Sequence, residues 1–354
     1  MKKRRILYAV LNWGLGHATR SLPVIRQLVK EHDVIILSTG RSLELLKSEI
    51  SGADFIDHPD YSVKYSNKGW SLLFSLLIQL PKILLRLREE HGFTEKLVRE
   101  LKIDRIVSDN RYGIFSREVP SYFITHQLCF KLPGFLRSLE IFSVVFNRLY
   151  FRSYRKVFVP DEEKGFNLSG ALSHNVPFMN SSKIKYCGIL ADISGSQDMI
   201  MSDYLFIISG PEPQRTIFEN KVLEQTKHLE GKIIIVRGMT ESRSVTETGN
   251  RTVYSSIERD KLSAMIKGAE VIISRPGYSS VMEFSALGKK ALFVPTPGQT
   301  EQEYLAGYYK DNRYFNYVDQ SRMNITEDIK NIFDVCYPEI TPNRTEKITD
   351  EILR

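Results

Sequence analysis

Cysteine is scarce in this 354-residue chain. Cys129, Cys187 and Cys336 are far apart and odd in number, and no Cys-x-x-Cys occurs. That excludes a disulfide framework and leaves no thiolate metal site; a reducing, cytoplasmic setting is expected. The seven histidines form no His-x-x-x-His pair, and Asp-x-Asp is absent, so no bound metal is expected. Long apolar runs are missing too. Met1-Lys2-Lys3-Arg4-Arg5 imitates the start of a signal peptide, but the run Ile6–Leu11 breaks at Asn12-Trp13-Gly14 without a cleavage site. Trp70 to Leu80 is interrupted by Pro81, Lys82 and Arg86, well short of the roughly 20 apolar residues that span a bilayer. There is no internal repeat and no low-complexity tract.

What is present is the composition of a globular protein. Hydrophobic residues make up 42% and charged residues 26%, enough to bury real cores, and the length suits two domains. Short apolar runs alternate with helix-like segments, the α/β pattern. Strands are expected at Arg5–Leu11, Asp33–Ser38, Ala53–Asp57, Arg105–Ser108, Ser121–Thr125 and Lys156–Val159, then at Tyr204–Ile208, Lys232–Val236, Thr252–Ser255, Val271–Ile273 and Ala291–Val294. Most are continuously apolar, as strands covered on both faces of a parallel sheet are. Residues 191–203 have little periodicity and read as a linker between domains at 1–190 and 204–354. Two such domains are expected to bind ligands in a cleft at the carboxyl ends of their sheets.

The strongest local signal runs from Val271 to Gly288. A strand leads into Ser274-Arg275-Pro276-Gly277, and a helix begins. Gly277 permits a tight turn and close approach of a ligand. Ser279 and Ser280 fall in the first helical turn, where amide N–H groups and the positive end of the helix dipole suit a diphosphate. Glu283 follows one turn later, and its two oxygens suit the two hydroxyls of a ribose. The bland alternative is an ordinary strand-turn-helix with an exposed Glu. After a further strand, the loop Pro295 to Glu303 brings Gln302 and Glu303 to the same edge, where they can read sugar hydroxyls.

The stretch Thr252 to Ala306 resembles the donor half of MurG-type glycosyltransferases, glycosyltransferase family 28. The matching features are Arg275-Pro-Gly277, Ser279-Ser280, Glu283, Phe293-Val-Pro295 and Gln302-Glu303; the family usually has a second Gln where this chain has Glu303. The resemblance implies a GT-B fold of two Rossmann-like domains, a nucleotide-diphosphate sugar as donor (UDP-linked by preference), and inversion at the anomeric carbon. It also implies a backbone contact from Ile257 to the nucleobase, and Ser209-Gly210 near the phosphates. No cofactor is expected beyond this donor substrate.

The first strand ends in Asn12-Trp-Gly-Leu-Gly-His17-Ala-Thr-Arg20. The third glycine of a dinucleotide fingerprint is absent after Gly14 and Gly16, so a dehydrogenase is disfavoured. His17 emerges at the sheet edge, where an imidazole serves as a general base or hydrogen-bonds the backbone. The same resemblance favours catalysis, since MurG-type enzymes carry Gly-x-Gly-His or a variant here, beside the donor sugar. Gly16 and Arg20 then belong to the acceptor side, with Asn110, His126 and Gln127 at two further strand ends. His126 and Asp109 could equally cap turns. Gly-Leu-Gly-His-Ala-Thr-Arg also resembles nucleotide-sugar hydrolases and epimerases on the same scaffold, which are kept as the alternative.

Charge is uneven. Residues 1–190 carry 29 Lys and Arg against 18 Asp and Glu, a net of +11; residues 191–354 carry 20 against 24, a net of −4. Without interleaved aromatic and basic residues, nucleic acid is not the expected partner. Trp70–Arg88 and Phe135–Lys156 mix apolar residues with Lys82, Arg86, Arg88, Arg137, Arg148, Arg152, Arg155 and Lys156. They read either as core-packing helices or as segments lying on an anionic membrane, as a lipid-linked rather than a glycan acceptor would require.

Overall fold

The computed structural model describes residues 3–61, 69–132, 134–192, 198–239, 244–332 and 345–354. The chain divides into two units: Met1–Asp192 together with Thr341–Arg354, and Ile193–Ile340.

In the first unit the strands are β1 (Arg5–Val10), β2 (Asp33–Ser38), β3 (Asp54–Asp57), β4 (Arg105–Asp109), β5 (Ser121–Ile124), β6 (Lys156–Val159) and β7 (Ile184–Tyr186). They lie in the order β3-β2-β1-β4-β5-β6-β7, every pair parallel. The helices are α1 (Gly16–Leu28), α2 (Gly40–Glu49), α3 (Gly69–Glu100) and α4 (Glu140–Phe151). β1 explains the continuous apolar run. Ile6, Tyr8 and Val10 point to the face covered by Ala18, Leu22 and Ile25 of α1, while Leu7 and Ala9 point to the face covered by Leu97 and Val98 of α3. Each fully buried aliphatic side chain contributes about 1.5–3 kcal/mol.

The second unit repeats the plan. Its strands are β8 (Ser202–Ile207), β9 (Ile233–Val236), β10 (Val245–Thr248), β11 (Arg251–Tyr254), β12 (Ala269–Ser274), β13 (Lys290–Phe293) and β14 (Asn316–Tyr317). The order is β10-β11-β9-β8-β12-β13-β14, and only the β10–β11 pair is antiparallel. The helices are α5 (Gln214–Gln225), α6 (Arg259–Gly268), α7 (Tyr278–Ala286), α8 (Thr300–Asp311) and α9 (Ile325–Lys330).

All eleven expected strands are present within a residue or two of their expected ends. The three additional ones, β7, β10 and β14, are short or polar; β10 reads Val-Thr-Glu-Thr and is exposed throughout. Two expectations about organisation need correction. The C-terminal domain does not run to residue 354. A last helix, α10 (Glu346–Leu353), belongs to the first unit, where Ile348 and Ile352 join the α1 side of the core. Tyr122 donates its hydroxyl to the Glu351 carbonyl at 3.0 Å, and Arg105 Nε donates to that of Ile352 at 3.1 Å. The expected linker also shrinks. Ala191 and Asp192 are buried in the first unit, with Arg26 donating to Asp192 at 2.6 Å, and Ser202 already opens β8; residues 193–197 lie outside the described residues.

In each sheet the chain turns back at one point, between β1 and β4 and between β8 and β12. Ligands bind at the carboxyl ends of strands flanking such a point.

Candidate active site

At the first switch point β1 delivers a short loop. Gly14 takes φ +72°, which only glycine adopts without strain. The start of α2 braces this loop: Ser42 N donates to Asn12 Oδ1 at 3.1 Å and Ser42 Oγ to the Gly14 carbonyl at 3.3 Å. Helix α1 begins at Gly16, which sets His17 on the first turn and Arg20 one turn on. β4 ends at Asp109, paired in register with Val10 of β1. His17 Nδ1 lies 2.7 Å from Asp109 Oδ1. Arg20 Nε donates to Asp109 Oδ2 at 2.8 Å, Arg20 Nη2 to Oδ1 at short range, and Ser21 Oγ to Oδ2 at 3.0 Å. Arg20 Nη1 lies 2.9 Å from His126 Nδ1, just past the end of β5. Gln127 Nε2 is 3.5 Å from His126 Nε2. Asn110 takes φ +58°, and its buried Oδ1 has no partner among the described residues.

The expected acceptor-side residues Gly16, Arg20, Asn110, His126 and Gln127 therefore gather with His17 at one sheet edge. Asp109, for which the sequence left a turn cap as an equal reading, is the hub. It is fully buried. Burial alone would raise its carboxyl pKa, but Arg20 and His17 outweigh that and hold it well below the usual carboxylate range. The His17 pKa is lowered, first by burial and then by the Arg20 charge, with Asp109 pulling the other way. A carboxylate only accepts, so Nδ1 carries the hydrogen and Nε2 keeps a lone pair. The ring is thus arranged to take a proton at Nε2.

At the second switch point β8, β12 and β13 end side by side. Ser209 and Gly210 are exposed after β8. Gly210 takes φ +117°, and a Cβ there would sit 3.5 Å from Thr296 Oγ1 and 3.9 Å from Arg275 Nε. Both of those buried atoms lack a hydrogen-bond partner among the described residues. Thr296 was not foreseen; its only sequence signal is a polar residue immediately after the Pro295 strand end. Helix α7 starts at Tyr278, with Ser279 and Ser280 in its first turn and Gly277 as its N-cap.

Several roles expected from the sequence differ here. Gly277 has φ −67° and ψ 131°, open to any residue. A Cβ there would meet only Ser280 Oγ at 4.0 Å, so its value lies in access to the helix start and not in the turn. Arg275 is buried and braces the loops: Nη1 donates to the carbonyls of Val294 and Pro295 at 2.8 and 3.0 Å, and Nη2 to those of Gln214 at 3.1 Å and of the Gln320 side chain. Its guanidinium lies over Phe218 at 4.3 Å, and burial pulls its pKa down to about 10. Glu283, the expected ribose ligand, is buried and receives Arg259 Nη2 at 2.7 Å. Gln302 Oε1 accepts from Thr296 N, and Glu303 Oε1 from Gly298 N, both at 2.8 Å. Each therefore shapes the loop with its carbonyl or carboxylate. Ile257 is half-buried just before α6. Among the described residues, no three His, Cys, Asp or Glu side chains converge to hold a metal.

Of the apolar-basic segments, α4 is the informative one. Phe142, Val145 and Leu149 are 68%, 46% and 52% exposed along one stripe, with exposed Arg148 and Arg152 beside it. Phe146 instead turns inward, its ring 5.4 Å from that of Tyr112. The side chains of Leu72 and Leu76 lie outside the described residues. Among the described residues no helix is long and apolar enough to cross a membrane.

Two sheets with these strand orders and these polar carboxyl edges define a GT-B glycosyltransferase fold. Residues 205–348 match the glycosyltransferase family 28 C-terminal domain, and residues 4–119 match glycosyl transferase family 1. An uncharacterized glycosyltransferase of Methanosarcina acetivorans is 26% identical over 340 residues, covering 88% of this chain and 82% of the relative. The UDP-N-acetylglucosamine--N-acetylmuramyl-(pentapeptide) pyrophosphoryl-undecaprenol N-acetylglucosamine transferase of a Sulfurihydrogenibium species is 29% identical over 109 residues, 30% of each chain. The crystal structure of MurG from Acinetobacter baumannii shares the fold, with a TM-score of 0.57 at 18% identity over 99% of both chains. The second unit thus carries a glycosyltransferase family 28 C-terminal domain, and the chain as a whole is similar to MurG-like GT-B glycosyltransferases. These matches all name glycosyltransferases, which does not favour the hydrolase or epimerase alternative.

Proposed function

We propose that this glycosyltransferase moves a sugar from a nucleotide-diphosphate donor, UDP-linked by preference, to a hydroxyl of a lipid-linked or glycan acceptor, with inversion and without a metal. The observation that carries the reading is the buried Asp109 carboxylate 2.7 Å from His17 Nδ1. It turns the Nε2 lone pair of His17 into a base. The acceptor oxygen attacks the anomeric carbon, its proton passes to Nε2, and the bond from that carbon to the diphosphate oxygen breaks. The departing charge is met by the start of α7. The orphaned Thr296 hydroxyl and Arg275 Nε beside Gly210 support an anion at that edge. The Sulfurihydrogenibium relative, by its name, uses UDP-N-acetylglucosamine and an undecaprenol-linked acceptor, which makes these the first substrates to try.

The acceptor class also bears on where the protein works. The exposed stripe Phe142, Val145 and Leu149 with flanking Arg148 and Arg152 fits the surface of an anionic leaflet, consistent with a cytoplasmic protein held peripherally. Beside it opens a cavity of about 210 Å³ lined in part by Arg148, Arg152 and Lys183. The test is transfer by the full chain from UDP-N-acetylglucosamine to a short-chain lipid-diphosphate acceptor, with and without EDTA. The reading expects turnover that survives chelation. Rapid release of free sugar without acceptor would restore the hydrolase, and loss of turnover in EDTA with rescue by manganese would make the enzyme metal-dependent.

A further inference from the structure

We infer that Arg20 is a positioning residue that locks His17 and His126 in opposite tautomers, leaving His17 as the proton acceptor of the pair and His126 as a fixed hydrogen-bond donor at the same sheet edge. The role given to His17 rests on the function proposed above; the tautomers rest on geometry alone.

A guanidinium has only donors, five N–H bonds in a planar fork. Arg20 is 2% exposed, so each of those bonds needs a protein partner. Nε and Nη2 point to the two oxygens of Asp109, which also receives Ser21 Oγ. Nη1 points to His126 Nδ1 at 2.9 Å. That nitrogen must therefore be the lone-pair nitrogen, and the ring hydrogen of His126 sits on Nε2. On the other side of the carboxylate the logic is reversed. Asp109 Oδ1 can only accept from His17 Nδ1 at 2.7 Å, so His17 carries its hydrogen on Nδ1 and its lone pair on Nε2. Arg20 Nη2 also lies 2.9 Å from His17 Nδ1, but a protonated Nδ1 cannot accept from it. Both donors instead converge on Asp109 Oδ1, because a hydrogen bond between charged groups outweighs one to a neutral ring.

One buried ion pair thus reads out as two different imidazoles. His17 presents a lone pair and can take a proton, whereas His126 presents N–H and cannot act as a second base while Arg20 holds it. The assignment also settles Gln127. Its amide nitrogen stands 3.5 Å from His126 Nε2, donor facing donor, so the amide is turned to present its oxygen. A lysine cannot reproduce this, since one ammonium lacks the fork that spans Asp109 and His126 together.

The experiment is long-range proton–nitrogen NMR of the full chain labelled with ¹⁵N-histidine, which reads the tautomer of each ring directly. In the wild type His17 should show hydrogen on Nδ1 and His126 on Nε2. Arg20→Lys keeps the positive charge opposite Asp109, so the fold survives; there His126 should become a mixture of tautomers while His17 keeps its own. Arg20→Gln, where it folds, should raise the pH at which His17 titrates, because Arg20 is the cation beside it and Asp109 and His126 are its other charged or titratable neighbours. Hydrogen on His126 Nδ1 in the wild type, or an unchanged single tautomer in Arg20→Lys, overturns the inference. If the tautomers stand but His17→Ala retains full transferase activity, the fault lies with the proposed base.

Discussion

In the proposed role His17 can act as a base only when neutral. Its pKa is lowered by burial and by Arg20, so the neutral form persists at more acidic pH than for a free imidazole, whose pKa is about 6.5. Turnover should therefore hold as pH falls through that value. Asp109 opposes the shift, so Asp109→Asn should move the acid limb to still lower pH while lowering the plateau, because a less basic His17 takes the proton less readily. Initial rates across the acid range check both; an acid limb above pH ~6.5 in the wild type contradicts the assignment. His17→Ala should cut kcat by roughly 100-fold or more and leave donor binding intact. On the donor side, Glu283→Gln should weaken UDP binding by about 1.5–3 kcal/mol, the scale of a hydrogen bond to a charged group. Calorimetry measures it, and wild-type affinity in the variant removes Glu283 from the ribose site.

Helix α3 is tied to the end of β4 by a buried ion pair. Arg111 Nε donates to Glu90 Oε1 at 2.6 Å, and its other nitrogens donate to the carbonyls of His58 and Pro59 at 3.1 and 2.7 Å. Glu90 Oε2 takes the Tyr61 hydroxyl at 2.7 Å and Gly113 N at 2.9 Å. This clamp fixes the backbone just after Asp109 and so the position of the carboxylate beside the candidate base. Removing one partner leaves the other charge buried. Glu90→Ala should therefore cost about 3–5 kcal/mol by urea denaturation, and a loss under ~1 kcal/mol would mean that water enters and solvates Arg111.

At the scale of the whole chain, the two ends meet in one unit, since α10 covers α1. Deleting residues 345–354 exposes the bed of Ile348 and Ile352, both fully buried, and should destabilise that unit by about 3–6 kcal/mol from two isoleucines alone. The same unit carries the exposed α4 stripe. The full chain should float with vesicles containing anionic lipid and not with purely zwitterionic ones, and added salt should weaken the attachment. Each basic residue near such a surface adds about 1 kcal/mol, so Arg148→Glu, Arg152→Glu and Arg155→Glu together should abolish flotation. Phe142→Glu should weaken it separately through the apolar stripe. Equal binding to neutral vesicles would assign the attachment to the apolar stripe alone, and no binding to either kind would favour a soluble acceptor.

The sequence by itself determined the elements. Continuous apolar runs marked strands buried on both faces, and the run into Arg275-Pro276-Gly277 marked a strand end opening a helix, because periodicity and turn chemistry are local. It also placed His17, Asn110, His126 and Gln127 at strand ends. Only the tertiary structure decided their partners. His17 and Asp109 are 92 residues apart, and adjacency of β1 and β4 is a property of sheet order that no local pattern records. The same holds for α10, whose amphipathic face shows that it packs but not on which unit. Arg275, Gln302 and Glu303 carry polar groups that suit a ligand or a loop equally well. The structure shows which loop groups each one holds, and that Arg275 Nε stays unpaired among the described residues.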